Sequence, residues 1–324
     1  MQVKIDLNEE KSVIEIRRSM KNFIKSSIKK LIFILPNRFE KVPIKHTLFK
    51  TFIENIENIE LERPKKSSGP DQTWYQFSQK FKKDLSSVSS IENFLRSPVI
   101  LETMNEVFLP VLMKEYFKVK VNLRKLGYNF KSIIVENTIG NQIPFFYNRS
   151  TSGNLIHHFY HITEFILYSN LDIKKLERIN EFGGGYGNMC KVAFKLGFNG
   201  TYNIFDLDLF IELQKFYLSA CSLRETKSIN FNKQSKDKVI KENSLLIATW
   251  SLSETDLSTR KKYQSLIDKS SYILVGLRDT FEGVDNLRYF NDYMKTRKDL
   301  DFKISGIKGI PRSYYLFAKP KTDM

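Results

Sequence analysis

The sequence contains few of the residues that build cross-linked or membrane-embedded proteins. Among 324 residues there are only 2 cysteines, which excludes a disulfide framework and a four-cysteine zinc site. The longest strongly apolar run in the first third is Leu31–Leu35, far below the roughly 20 residues of a membrane-spanning helix. Residues 1–10 include three acids and no apolar stretch, so we expect no secretory signal and a cytoplasmic location.

Positive charge is the most prominent feature of the composition. There are 52 lysines and arginines against 36 acids, a net charge of +16, and the first 150 residues hold 26 of these basic residues and 16 acids. Such a surface attracts nucleic acid, phosphorylated substrates or an acidic membrane. The apolar fraction of 41% supplies a core and excludes global disorder.

A basic amphipathic helix is predicted for Val13–Leu31, because apolar residues recur there at helical spacing between lysines and arginines. The favoured interpretation is a helix packed on the core with a solvated basic face. Peripheral contact with an anionic membrane, at the inner face of the bilayer, is the second interpretation. Contact with nucleic acid or a protein partner is the third.

Residues 1–153 are predicted to form a mainly helical cap that helps to bind the acceptor. We expect a short helix at Ile53–Leu61, a loop at Pro64–Thr73 and a helix at Val99–Leu126 bent at Pro110. Residues 127–154 are expected to contain one or two strands and a long polar loop.

Residues 154–324 change to a regular alternation of strands and helices, which predicts an α/β fold with a parallel sheet. Helices are predicted at Leu155–Ser169, Asn188–Leu196, Leu209–Cys221, Ser258–Lys269 and Asn286–Lys298. Strands are predicted at Arg178–Phe182, Thr201–Phe205, Ser228–Phe231, Ser244–Trp250, Tyr272–Leu277, Asp301–Gly306 and Ser313–Lys319. The last two strands have no helix between them, so we expect an antiparallel addition to the sheet.

A glycine-rich turn lies between a predicted strand and a predicted helix, at Glu181–Asn188 (EFGGGYGN). Glycine lets a ligand lie against the backbone, and the helix N-terminus suits an anion. The acidic Glu181 suits the cationic amino end of S-adenosylmethionine better than a pyrophosphate. Asp206 follows the next strand, 19 residues after Gly187, where a carboxylate can bind both ribose hydroxyls. An empty tight turn and a dinucleotide site are the alternatives.

Several segments together resemble the sugar O-methyltransferases of bacterial surface-polysaccharide gene clusters. The resemblance covers roughly residues 150–320 and rests on the Tyr160-His161 pair and on EFGGGYGN (181–188), YNIFDLD (202–208), LQKFYL (213–218), LIATWSLSE (246–254) and FEGVDN (281–286). It implies a class I, Rossmann-like methyltransferase sheet with an antiparallel final strand.

The resemblance also implies S-adenosyl-L-methionine as cofactor and S-adenosylhomocysteine as product, while any need for a divalent metal stays open. We therefore expect these cofactor-binding residues: Glu181, Gly183, Gly184, Gly185, Tyr186, Gly187, Asn188, Asp206, Leu207 and Trp250.

Methyl transfer to a hydroxyl benefits from a base that takes the hydroxyl proton. His157, His158 and His161 lie within five positions of one predicted helix, and His157 and His161 share a face. The resemblance favours His161 as the base, followed by His158, with Glu254 as a further candidate. Core histidines are the alternative, and a metal pair at His157 and His161 is a weaker one; we expect no metal site.

The loops after the later strands are candidates for acceptor binding, because ligands bind at the carboxyl ends of parallel strands. Helix capping is the competing interpretation for Glu254, Asp285 and Asn286. The expected substrate-binding residues are Tyr160, His157, Ser251, Ser253, Glu282, Asp285 and Asn286.

The sequence thus predicts an O-methyltransferase that acts on a sugar or glycan, with a phosphate-linked acceptor as one form, in surface-polysaccharide (O-antigen or capsule) biosynthesis. A nucleic-acid methyltransferase is the second hypothesis, because the pI is about 9.5. A non-catalytic binding module with the same fold is the third.

Overall fold

The computed structural model describes residues 36–104, 109–232 and 243–321. The basic amphipathic helix predicted for residues 13–31 lies outside these ranges, so it stays a prediction.

Helices dominate the described part of the N-terminal half. They are α1 (His46–Glu57), α2 (Pro70–Asp84), α3 (Val88–Glu92), α4 (Pro98–Thr103), α5 (Leu109–Lys125) and α6 (Phe130–Ile133). A small antiparallel hairpin follows, formed by β1 (Pro144–Phe145) and β2 (Asn148–Ser152). Short 3₁₀ turns lie at Phe94–Arg96 and Ile139–Asn141.

Three predictions for this half were wrong in detail. The helix expected at Ile53–Leu61 is α1, which begins earlier and ends at Glu57. The loop expected at Pro64–Thr73 gives way to α2 at Pro70, because proline is favoured in the first turn of a helix. The single helix Val99–Leu126 is instead α4 and α5, and Pro110 lies in the first turn of α5 rather than at a bend.

The C-terminal half alternates helices and strands largely as predicted. Its helices are α7 (Gly153–Ser169), α8 (Asn188–Lys195), α9 (Asp208–Ala220), α10 (Leu257–Lys262), α11 (Gln264–Asp268) and α12 (Asn286–Thr296). Its strands are β3 (Arg178–Phe182), β4 (Thr201–Phe205), β5 (Ile229–Asn232), β6 (Ser244–Thr249), β7 (Tyr272–Arg278), β8 (Thr280–Phe281), β9 (Val284–Asp285), β10 (Leu300–Gly306) and β11 (Ser313–Pro320). Further 3₁₀ turns lie at Ile173–Lys175 and Ser251–Glu254. The helix expected at Ser258–Lys269 is divided at Tyr263 into α10 and α11.

Seven strands form one sheet in the order β10-β11-β7-β6-β3-β4-β5. The five strands β3 to β7 are parallel, while β11 runs antiparallel between β7 and β10. This is the strand arrangement that the resemblance implied, so the predicted α/β fold with an antiparallel final strand is confirmed. Strand β6 is buried along most of its length, as expected for a parallel sheet covered on both faces.

The N-terminal helices pack on the sheet domain through aromatic rings. Phe49 and Phe52 of α1 contact Phe216 of α9, and Phe81 of α2 stacks on Phe210 with ring centroids 5.8 Å apart. Residues on both sides of position 153 therefore share one hydrophobic cluster. The division into a cap of residues 1–153 and a methyltransferase domain of residues 154–324 stays a prediction.

Among the residues that the structure describes, no helix combines the length and apolar character needed to cross a membrane.

Candidate active site

The glycine-rich turn connects the end of β3 to the first residue of α8. Gly183 has a φ of +71°, and a Cβ there would lie 2.2 Å from Cβ of Ser251. A Cβ on Gly184 would lie 2.8 Å from Cγ2 of Ile204 and 3.2 Å from a carboxylate oxygen of Glu181. Glycine is therefore required at both positions, because the backbone passes close to its neighbours.

Not every residue of the turn faces outward. Tyr186 was expected to bind the cofactor, yet its side chain is buried in the core beside Tyr217, and its hydroxyl accepts a hydrogen bond from Gln142 Nε2 (2.6 Å). Only the backbone of Tyr186 borders the turn. Gly185 and Gly187 both have positive φ, and Met104 lies over Gly185, with its Sδ 3.3 Å from where a Cβ would be.

Two carboxylates lie where neighbouring parallel strands end. Glu181 is buried near the end of β3 and accepts a hydrogen bond from the Tyr202 hydroxyl (2.8 Å). Burial raises its pKa to about 8, although the bond from Tyr202 opposes the shift. Asp206 follows β4, and burial raises its pKa to about 7 despite hydrogen bonds from Leu207 and Gln214. Neither carboxylate forms an ion pair with any residue in the described ranges, so both lack a cationic partner.

Gln214 of α9 connects these two features, although the sequence analysis did not identify it. Its Nε2 donates to Oδ2 of Asp206 (2.7 Å) and to the carbonyl oxygen of Gly185 (3.0 Å). Its Oε1 is buried and has no hydrogen-bond partner among the residues that the structure describes. A buried acceptor without a donor is costly, and it suits a ligand that carries amino or hydroxyl donors. Gln214 lies in the LQKFYL segment (213–218) that carries part of the resemblance, but its role depends on α9 folding back over the turn.

S-adenosylmethionine fits these residues in its chemistry. Its amino group is cationic and its ribose carries two hydroxyl donors, while the turn offers two carboxylates and the unpartnered oxygen of Gln214. Leu207, next to Asp206, is 48% exposed at the same edge of the sheet. The cofactor roles of these residues stay predictions.

Trp250 forms the opposite side of this edge, directly after β6. Its φ of +65° is unusual for a residue with a bulky side chain. Gly276 of β7 makes room for the indole, since a Cβ there would lie 3.3 Å from the ring. The indole stacks on His157, with ring centroids 5.7 Å apart and planes at 29°.

The serine hydroxyls that follow Trp250 donate hydrogen bonds to backbone carbonyl oxygens. Ser251 Oγ donates to the carbonyl oxygen of Phe182, and Ser253 Oγ donates to that of Trp250 (2.7 Å). Ser253 is fully buried, which contradicts its expected role as a substrate ligand. Glu254 ends the same 3₁₀ turn and is half-buried.

The three clustered histidines have different surroundings. His161 is fully buried, its Nδ1 is paired with the Tyr315 hydroxyl, and burial holds its pKa well below the usual range. His158 Nδ1 lies 2.7 Å from Nδ2 of Asn188 and 2.9 Å from the carbonyl oxygen of Asn154. Burial lowers the pKa of His158 to about 3, so it is neutral at pH 7.

His157 is the third histidine of the cluster. Its ring centroid lies 4.0 Å from that of His161, so the two share a face as predicted. Its Nδ1 lies 2.8 and 3.0 Å from the two carboxylate oxygens of Glu115. Glu115 was not identified from the sequence, although a signal was present: it is the only acid in α5 and lies among its buried apolar positions.

The remaining acceptor candidates lie farther along the sheet edge, near β8 and β9. Glu282 is exposed at the hairpin turn, with a φ of +44°. Asp285 caps α12 by accepting a hydrogen bond from the Arg288 amide (2.9 Å), which was the competing interpretation. Asn286 was expected to bind substrate, but it is fully buried and accepts a hydrogen bond from Arg260 Nη2 (2.6 Å). Tyr160 is half-buried on α7, and burial raises its pKa to about 12.

Metal binding was a weaker interpretation of the histidine pair. In the described ranges no three histidine, cysteine or acidic side chains come together in a group that could hold a metal ion.

Comparisons with known proteins add a likeness of fold. No known family model matches the sequence, and no curated protein is similar to it. The structure is similar to a SAM-dependent methyltransferase from Aquifex aeolicus, 10% identical over 47% of this chain and 86% of that one, with a TM-score of 0.37. It is also similar to precorrin-6y C5,15-methyltransferase from Geobacter metallireducens (9% identity, 53% and 90% coverage, TM-score 0.37). A glycopeptide N-methyltransferase complexed with sinefungin is a third similar structure (10%, 49% and 85%, TM-score 0.37). At these identities the likeness concerns the fold alone.

Proposed function

We propose that the protein is an S-adenosylmethionine-dependent O-methyltransferase that acts on a sugar hydroxyl. The observation that carries this proposal is a pair of carboxylates, the buried Glu181 and the half-buried Asp206, which flank a crowded glycine turn and have no cationic partner in the described ranges. Burying two such groups is costly unless a ligand pairs with them. The cofactor brings a cation for one and hydroxyl donors for the other.

The chain's own residues divide the work as follows. Glu181 binds the amino group, Asp206 binds the ribose hydroxyls, and Gln214 holds Asp206 against the turn. When bound, S-adenosylmethionine supplies an electrophilic methyl group on a sulfonium. Trp250 and the histidine cluster border the place where an acceptor hydroxyl meets that methyl group, and alignment there supplies much of the catalysis.

The sugar acceptor is supported by the resemblance of residues 181–188 and 246–254 to sugar O-methyltransferases. The net charge of +16 makes the protein strongly basic, and a basic surface attracts an acceptor that carries a phosphate group. Contact with an anionic membrane is proposed from the sequence of residues 13–31 alone, because these residues lie outside the described ranges.

Calorimetric titration of S-adenosylhomocysteine tests the cofactor. We expect micromolar binding to the wild type and a loss of about 100-fold in affinity in Asp206→Ala, because two hydrogen bonds to a charged group are removed. Asp292→Ala is the matched control, since Asp292 is exposed on α12 and, within the described part of the chain, forms an ion pair only with Lys295. Failure of the wild type to bind would overturn the proposal.

Transfer of labelled methyl groups to UDP- and dTDP-linked hexoses tests the acceptor. Incorporation that disappears in Asp206→Ala supports a sugar substrate. Cofactor binding without transfer to any acceptor would favour the non-catalytic module.

A nucleic-acid methyltransferase is the second candidate, favoured by the exposed aromatics Phe117 and Tyr147, which lie 5.7 Å apart beside exposed Lys114 and Lys118. Aromatic rings among lysines are typical of single-strand binding. Methyl transfer to RNA, with affinity that falls steeply with salt, would favour this candidate over the sugar.

A further inference from the structure

A buried carboxylate holds one ring nitrogen of His157. Glu115 is 3% exposed, and both of its oxygens lie within 3.0 Å of Nδ1 of His157. The His157 side chain itself is 13% exposed. The pair connects α5 with the first half of α7, two helices that pack against each other.

A carboxylate at Nδ1 has a defined chemical effect on an imidazole. It fixes the proton on Nδ1, so Nε2 is left as the basic nitrogen, and it stabilises the imidazolium that forms when Nε2 accepts a proton. This is how an acid prepares a histidine for general-base catalysis. Neither neighbour has such a partner: His161 pairs with the Tyr315 hydroxyl, and His158 pairs with Asn154 and Asn188.

The position of His157 also suits this role. Its ring stacks on Trp250, which follows β6 at the carboxyl edge of the sheet. The adjacent His158 contacts Asn188, the first residue after the glycine turn. His157 therefore lies between the turn and the end of β6, where ligands of such sheets bind.

We propose that His157 is the general base of the reaction and that Glu115 is its positioning residue. This inference rests on the proposed methyltransferase function and replaces His161 and His158 as the expected base. In the step, the acceptor oxygen forms a bond to the methyl carbon while the methyl–sulfur bond breaks, leaving its electron pair on sulfur. The hydroxyl proton moves to Nε2 of His157, and the imidazolium releases it to water afterwards.

Among the described residues, Glu115 faces the His157 ring from α5, and His158 and His161 lie beside it on α7. Trp250 covers another side and carries no charge.

The first experiment needs no acceptor. Diethyl pyrocarbonate modifies neutral, accessible imidazoles, and peptide mapping of the full chain at about pH 8.5, where free imidazoles are neutral, follows each histidine. We expect His157 to react and His161 to be protected. We expect Glu115→Gln to slow the modification of His157 about fivefold or more without changing that of His46, which is exposed on α1 and serves as the internal reference. Equal His157 rates in both proteins would overturn the inference.

The second experiment measures catalysis with a UDP- or dTDP-hexose that the wild type methylates. We expect His157→Asn to lower kcat by about 100-fold or more, the usual range for a general base. Glu115→Gln should lower kcat by about 10-fold with KM for S-adenosylmethionine unchanged, and Glu115→Asp should restore part of it. His46→Asn is the control.

The outcomes separate the two proposals. If the wild type binds S-adenosylhomocysteine and methylates an acceptor while His157→Asn keeps more than a third of kcat, the base is wrong and the function stands. If the wild type binds no S-adenosylhomocysteine, the function itself fails. If no hexose is methylated, the test of His157 is the first experiment: a slower modification of His157 in Glu115→Gln supports the inference, and equal rates overturn it.

Discussion

The fold surrounds the buried acids Glu136 and Glu181 in opposite ways. Glu136 is fully buried and accepts hydrogen bonds from Lys191 Nζ (2.6 Å), Ser152 Oγ (2.7 Å) and the Asn137 amide (3.0 Å). Glu181 is buried to nearly the same extent, but within the described ranges it accepts a hydrogen bond from a tyrosine hydroxyl and has no cation beside it. We call the first group, formed by Glu136, Lys191 and Tyr217, the ion-pair cluster.

This difference distinguishes an acid that stabilises the fold from acids that are available to bind a ligand. A buried charge costs several kcal/mol unless a partner compensates. The ion-pair cluster provides that partner within the chain and joins the segment before α7 to α8. At Glu181 and Asp206 the cost appears as raised pKa values instead. A carboxylate that the fold leaves without a cation indicates that a ligand supplies one.

The largest expected effect comes from breaking the ion-pair cluster. Lys191→Met leaves Glu136 buried without its cation and should lower the free energy of unfolding by about 3–5 kcal/mol. Urea unfolding followed by circular dichroism measures this. The double variant Lys191→Met/Glu136→Gln should recover part of the loss, since it removes the stranded charge. A single-variant loss under about 1 kcal/mol would contradict a structural role.

The second effect has the opposite sign: replacing Glu181 should raise the free energy of unfolding. The pKa of Glu181 is about 8 in the folded protein and about 4.3 in an unfolded chain. Between these values the folded state holds more protons, so wild-type stability falls as pH rises. Glu181→Gln removes this contribution, and its advantage over the wild type should grow by up to about 1.4 kcal/mol per pH unit from pH 5 to pH 8.

The same variant should bind its ligand less well. Glutamine has no charge for the amino group of S-adenosylhomocysteine, so affinity at pH 8 should fall by about 10-fold. Wild-type affinity should rise from pH 6 to pH 8 as Glu181 ionises. The rise should be smaller in Glu181→Gln, where Asp206, with a pKa of about 7, still titrates. Thermal unfolding and calorimetry at three pH values measure both. Parallel pH profiles of the two proteins would show that Glu181 neither titrates in this range nor meets the ligand.

The smallest expected effect comes from the residue that joins the turn to Asp206. Gln214→Met removes the donor to Asp206 Oδ2 and to the Gly185 carbonyl, and it should weaken S-adenosylhomocysteine about fivefold, the worth of roughly one hydrogen bond. Gln79→Met is the control, because Gln79 is exposed on α2 and its side chain donates a hydrogen bond to the nearby Tyr75 hydroxyl, away from the turn. Unchanged affinity in Gln214→Met would mean that Asp206 holds its position alone.

Local patterns were enough to predict most of the sheet. The strands at Arg178–Phe182 and Thr201–Phe205 match β3 and β4 residue for residue, because β-branched and aromatic residues between turn signals favour strands. The glycine turn and Asp206 were identifiable because each directly follows a strand whose end could be predicted.

The sequence by itself determined which residues form the sheet, where the turn lies and which carboxylates follow the strands, since hydrophobic spacing and glycine geometry act over a few residues. Only the tertiary structure decided which histidine meets Glu115, 42 positions away, and that Lys191 meets Glu136. It also buried His161, Tyr186 and Asn286, which had been expected at the surface of the site. Pairing and burial depend on how whole helices pack, and that packing carries no local sequence signal.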